Sequence, residues 1–200
     1  MKPEIINREL SLFELDVIKF FGDVSTDNIK PINISSEENF NALKYTHSAY
    51  LINDEYILNL EFQTKYYERI SFEMLYNSGE LHSLFGLDIN SIGIHLLREH
   101  EEKITGIFQA GEYGTKMYFK YPVFKVWELE PDKIFNAGLV GLYPLVPLVK
   151  KDEKLLKSSY EAILKSDISE DNKSDLLFKL VVLAGLIYEN ERIFSCSGMG

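Results

Sequence analysis

Apolar and polar positions first recur at helical spacing after Ser11, where Leu12, Leu15, Ile18 and Phe21 line one face. Ser11 followed by Glu14 reads as a capping box, and Gly22 is a plausible stop. Residues 23–39 are polar and irregular, with Pro31 among them. Two strand-like runs follow, 44–52 and 56–63, joined by Asn53-Asp54-Glu55, a hairpin signal. A helical pattern covers 65–85, carrying Tyr67, Ile70, Met74, Leu75, Leu81 and Leu84. Gly79 weakens it and Gly86 ends it. Residues 91–97 read as a buried strand and 116–129 as a longer one. Gly111-Glu112-Tyr113-Gly114 reads as a turn between strands. It lacks the lysine and the strand-to-helix context of a phosphate-binding loop. Pro131 opens a short helix, 138–150 reads as an apolar loop, and 153–164 and about 171–188 read as helices. Strands thus occupy the first two-thirds and helices the last quarter. The expected fold is α/β, with a core over 1–150 and a helical C-terminal extension over 151–200.

The run 56–63 is the most informative. Strand alternation sends Tyr56, Leu58, Leu60 and Phe62 to one face and Ile57, Asn59, Glu61 and Gln63 to the other. An apolar strand that turns acidic and amide-bearing toward its end is costly unless that end opens on solvent or a site. If Asp54-Glu55 forms the hairpin loop, Ser48 lies opposite Glu61; if Asn53-Asp54 does, Thr46 lies there. The residues available on the facing strand are Thr46, His47, Ser48 and Ala49, none of them acidic. His47 reaches the position only if the register slips by one. Asp54 lies more than about 20 Å along the strand from Glu61 and serves the turn.

Two hundred residues are ample for a real core, and the apolar fraction of 46% is that of a globular chain. The single Cys196 excludes an internal disulfide framework and a cysteine zinc site. Residues 1–10 carry charges where a secretory leader would be apolar, and the longest apolar run, 180–187, is too short to cross a bilayer. A cytoplasmic protein with no membrane partner and no small-molecule cofactor is expected. The net charge of −10 predicts weak non-specific binding to nucleic acid. Lys116, Lys120 and Lys125, interleaved with aromatics, form a local basic patch that a polar face on an edge strand explains as well. His82, His95 and His100 are scattered without zinc spacing, and Glu99, Glu101 and Glu102 read as a solvated charge cluster. Ser195-Cys196-Ser197-Gly198 has no base nearby for a nucleophile, and Trp127 reads as core.

The order helix, hairpin ending Leu60-Glu61-Phe62-Gln63, helix with Tyr76-Asn77, then 121–129 (Tyr-Pro-Val-Phe-Lys-Val-Trp-Glu-Leu) and 141–148 (Gly-Leu-Tyr-Pro-Leu-Val-Pro-Leu) resembles the Rpn family. These are recombination-promoting nucleases, also called putative transposases, of the PD-(D/E)XK nuclease superfamily. The resemblance runs from about Leu10 to Tyr188. It implies a restriction-endonuclease-like mixed central sheet flanked by helices and Mg²⁺-dependent hydrolysis of DNA phosphodiesters. On that pattern Glu61 is the metal-binding carboxylate and Gln63 occupies the usual lysine position. The family's acid on the preceding strand has no counterpart here. Glu14 can supply a second metal ligand from the first helix, although the capping box with Ser11 explains it too. The alternative is a catalytically inactive nuclease-fold protein that binds DNA or a protein partner. A homodimer face on the 180–188 helix is a further expectation.

Overall fold

A computed structural model describes residues 4–6, 8–33, 45–112 and 114–188, with residues 45–47 described through their backbone. The segments 34–44 and 189–200, including Cys196 and its serine neighbours, lie outside the described residues. The chain divides into two compact units, Met1–Glu9 with Ser25–Lys125 and Leu10–Val24 with Val126–Gly200. Among the described residues no helix is long and apolar enough to cross a membrane.

The first unit is built on a mixed sheet. Its strands in chain order are β1 (Glu4–Ile5), β2 (Ile29–Asn33), β3 (Tyr45–Ile52), β4 (Tyr56–Gln63), β5 (Asp88–His95) and, after two shorter strands, β8 (Val123–Lys125). Their spatial order is β1-β2-β3-β4-β5-β8. The first four run antiparallel to their neighbours, while β4, β5 and β8 are parallel. Parallel neighbours need a crossover, and α2 (Ile70–Phe85) provides it between β4 and β5. This helix starts later than the 65–85 pattern suggests, and Gly86 ends it in a left-handed conformation with its N–H bonded to the His82 carbonyl. Leu81 of α2 packs with Ile32, Ala49, Leu51 and Ile57, and Phe85, Leu87 and Ile89 close the cluster. The helix therefore covers the face of β4 that carries Ile57, Asn59, Glu61 and Gln63.

Three expectations are corrected in this unit. Residues 29–33 are a strand, because Pro31 turns its missing N–H toward the two-residue edge strand, where its carbonyl accepts from Ile6 at 3.0 Å. The 116–129 run is not one strand. β6 (Ile107–Ala110) and β7 (Met117–Lys120) form a separate two-stranded ribbon, Pro122 precedes β8, and Val126–Glu128 is a 3-10 turn. The hairpin loop holds three residues, not two. Ile52 pairs with Tyr56, and Asn53 and Asp54 both take left-handed conformations, φ 53° and 61°. Asp54 is also tied to Lys30 at 2.5 Å and to Asn28 at 3.3 Å. The register consequently falls between the two expected ones, and His47 stands opposite Glu61.

The second unit is helical: α1 (Leu12–Gly22), α3 (Pro131–Asn136), α4 (Val146–Val149), α5 (Glu153–Lys165) and α6 (Glu170–Gly185). The capping box of α1 is present, with the Ser11 N–H donating to the Glu14 carboxylate at 3.0 Å and the Glu14 N–H to the Ser11 hydroxyl at 3.3 Å. The 138–150 stretch is not a loop. It is a 3-10 helix, Val140–Leu145, running into α4. Its Gly141 explains the start of that motif: the Gly141 N–H donates to Asp16 of α1 at 2.7 Å, and an added Cβ would lie 2.5 Å from the Leu12 carbonyl oxygen. Ile163, Leu176 and Leu180 centre the apolar core of this unit, with Leu12, Phe13 and Val140 against them.

Gly141→Ala is expected to cost about 2 kcal/mol or more, because the α1 backbone cannot retreat. Gly79→Ala in α2 meets nothing within 4 Å and is expected to add about 0.5–1 kcal/mol. Urea denaturation of both variants checks the contrast. Equal effects would contradict it.

Candidate functional site

Strand alternation and parallel register set out the covered face of the first unit in rows. Asn59 pairs with Ser91, Glu61 with Gly93, and Gln63 with His95, while His95 pairs with Lys125 of β8. The row farthest from the site is a satisfied polar network. The Asn59 amide donates to the Ser91 hydroxyl at 3.1 Å, Ser91 and Ser78 share a hydrogen bond of 2.6 Å, and the Ser78 hydroxyl donates to the Met74 carbonyl at 2.6 Å. Every group there has a partner, as buried polar atoms generally do.

The next row is different. Glu61 is 1% exposed and accepts one hydrogen bond, from the Gln63 amide at 2.6 Å. Among the described residues its other oxygen, Oε2, and the Gln63 carbonyl oxygen have no partner. Burial, with the negative charge of Glu73 on α2 adding to it, pushes the Glu61 carboxyl up to about 7, and the Gln63 hydrogen bond offsets only part of the rise. Tyr67 in turn donates to Glu73. Gly93 leaves room beside Glu61 for a ring, since an added Cβ would lie 3.1 Å from Tyr121. The Tyr121 hydroxyl lies 3.1 Å from that of Ser71, and burial holds its pKa above the usual phenol range, with Glu61 adding to the effect.

His95 closes the third row. Burial lowers its pKa to about 4, helped by the Lys125 charge, so the imidazole is neutral at neutral pH. Lys125 itself pairs with Glu101 at 3.7 Å. A carboxylate, an amide, a neutral imidazole and a phenol are thereby gathered around one buried corner.

Of the residues singled out from the sequence, Glu61 and Gln63 are brought together and hydrogen-bonded. Glu14 belongs to the second unit, where its carboxylate holds the capping box. Asp16 accepts from Gly141, and burial raises its pKa despite that bond. Glu73, Tyr121, Ser71 and His95 were not legible as site residues. Glu73 lies in the first turn of α2, and only the parallel pairing of β4 with β5 puts His95 beside Gln63.

Among the described residues, no group of three or more His, Cys, Asp or Glu side chains is arranged to hold a metal. A hard divalent ion of the magnesium type needs less, since it takes one or two carboxylates and completes its shell with water and phosphate oxygens. The unpartnered Glu61 and Gln63 oxygens, with the Glu73 charge near, suit that donor set. Those three residues would hold the ion. No family model matches the chain, and no curated protein or solved structure matches it either.

The two shifted groups predict opposing pH effects. Folded Glu61 keeps a proton that the unfolded chain loses between pH 4.5 and about 7, so its contribution to stability falls as pH rises through that window. Folded His95 refuses a proton that the unfolded chain takes up between 6.5 and about 4, so its contribution falls as pH drops. Glu61→Gln removes only the first. It should gain on the parent chain by about 3 kcal/mol in going from below pH 4.5 to above about 7, read by urea denaturation. A difference independent of pH would mean that Glu61 titrates normally.

Proposed function

We propose that this chain is a divalent-cation-dependent phosphodiesterase acting on DNA, built on a restriction-endonuclease-like core. The observation that carries the reading is the Glu61 carboxylate: buried, held by one hydrogen bond, raised to about 7 and adjacent to a second carboxylate, Glu73. A cation relieves that arrangement by turning like-charge repulsion into shared attraction. The order α1, β2, β3, β4, α2, β5, with an antiparallel hairpin followed by a parallel crossover, supports the family resemblance of the sequence.

Glu61, Glu73 and Gln63 would hold the Mg²⁺, which would supply charge for a phosphoryl oxygen and a more acidic water. The protein's part is positional. Gln63 fixes the Glu61 rotamer through its amide, and Tyr67 fixes Glu73. Tyr121 shields one side of Glu61 from solvent, and neutral His95 beside Gln63 is a proton acceptor that stays available at neutral pH.

A second reading is favoured by two particular facts. Glu61 and Gln63 are each 1% exposed, and the strand position facing Glu61 holds His47 in place of an acid. These favour a silent centre in a protein that works by binding DNA or a protein partner.

One set of measurements separates the two. The catalytic reading expects Mg²⁺- or Mn²⁺-dependent cleavage of DNA that falls at least about a hundredfold in Glu61→Gln and in Glu73→Gln. It also expects a metal-induced rise in melting temperature that both variants lose. Cleavage unaffected by Glu61→Gln contradicts it. A folded protein whose melting temperature ignores millimolar Mg²⁺ and which cuts no DNA selects the binding reading.

A further inference from the structure

The ribbon of β6 and β7 stands apart from the main sheet. Its register pairs Ile107 with Lys120, Phe108 with Phe119, Gln109 with Tyr118 and Ala110 with Met117. Directly opposed residues share a face, so the ribbon has two unlike sides. On the inner side Phe108 meets Phe72 of α2 with ring centres 5.6 Å apart, and Phe119 meets Tyr121 at 5.5 Å. The outer side carries Ile107, Gln109, Tyr118 and Lys120, and alternation extends it to Lys116; all five are exposed.

That outer side is unlike the rest of the chain. Tyr118 is 65% exposed, with a lysine two residues away on either side, and none of the five described residues of this face is a carboxylate although the chain carries a net charge of −10. Glu112 sits in the connection between the strands. On the inner side the Arg69 guanidinium lies over the Phe72 ring, 5.5 Å from its centre. The strand also leads somewhere, because Lys120 is followed directly by Tyr121, the phenol beside Glu61.

We infer that the outer face of the β6–β7 ribbon binds single-stranded nucleic acid, with Tyr118 stacked on a base and Lys116 and Lys120 on the flanking phosphates. A flat exposed ring between two cations matches an anionic strand whose bases are free to stack. Duplex DNA keeps its bases stacked on one another and offers that ring nothing. An acidic peptide would satisfy the lysines and leave Tyr118 without a planar partner. Four strand steps separate Lys116 from Lys120 by about 13 Å, so the two grip different phosphates. Binding stands on the ribbon alone; that the strand is led toward Glu61 rests on the phosphodiesterase reading.

The test uses the full chain in EDTA and a fluorescently labelled short oligodeoxynucleotide of mixed sequence, followed by anisotropy. The single strand should bind at least about tenfold more tightly than the duplex of the same sequence. Tyr118→Ala should weaken binding about tenfold without changing its salt dependence, while Tyr118→Phe keeps the ring and the affinity. Lys116→Gln with Lys120→Gln should lower the slope of log affinity against log salt by about 1.4, two phosphate contacts' worth. Equal affinity for single strand and duplex, competition by polyglutamate as effective as by unlabelled oligonucleotide, ribbon variants that bind like the parent, or no binding at all would each overturn the inference. Glu61→Gln separates this from the catalytic reading. If it abolishes cleavage while ribbon variants bind normally, the ribbon inference falls alone. If ribbon variants lose binding while Glu61→Gln still cleaves, only the catalytic reading falls.

Discussion

The carboxylate of Glu61 is carried into the covered face of a sheet with a single hydrogen bond, from a residue of its own strand. Holding its pKa near 7 corresponds to about 3 kcal/mol against the charged form. Against a net stability of about 5–15 kcal/mol for an ordinary domain, that is a large local penalty. One row away, Asn59, Ser91 and Ser78 show that this same interface can satisfy buried polar groups completely. The fold thus has the means to satisfy buried polar groups, yet among the described residues two acceptor oxygens, at Glu61 and Gln63, have no partner. That unsatisfied pair beside a fully bonded network is the observation on which the proposed cation site rests.

The surroundings of Glu61 preserve that condition. Gly93 admits the Tyr121 ring, the ring's hydroxyl is taken by Ser71, and Glu73 is fixed by Tyr67. None of these contacts supplies a donor to Glu61 Oε2, which has no partner among the described residues. In the second unit the opposite logic holds. Asp16 is buried as well, yet it receives the Gly141 N–H, and the close approach that requires glycine there locks α1 onto the 3-10 helix. One buried acid is bound to structure, and the other is the one on which the proposed cation site rests.

Local pattern made much of the fold legible. The capping box at Ser11 and Glu14, the glycine stop at Gly86 and the alternation through Asn59, Glu61 and Gln63 all depend on near neighbours in the chain, and all are present. What local pattern could not carry was register. The hairpin arithmetic assumed a two-residue loop, whereas Asn53 and Asp54 both accept left-handed conformations and open a third loop position. One residue of loop moved His47 to the place where Thr46 or Ser48 was expected. The strand at 29–33 was hidden by Pro31, whose tolerance depends on lying beside a two-residue edge. Glu73 and His95 were invisible for a related reason: Glu73 lies on the crossover helix and His95 meets Gln63 through the parallel pairing beyond it, relations that no short window of sequence encodes.

The acidity of Glu61 is the claim on which the account turns, and it can be read at the atom concerned. An NMR titration of the Glu61 side-chain carboxyl in the metal-free protein should have its midpoint at about 7, and millimolar Mg²⁺ should move it down by roughly a unit or more. A midpoint near the ordinary 4.5, or one at about 7 that Mg²⁺ does not move, would contradict the account.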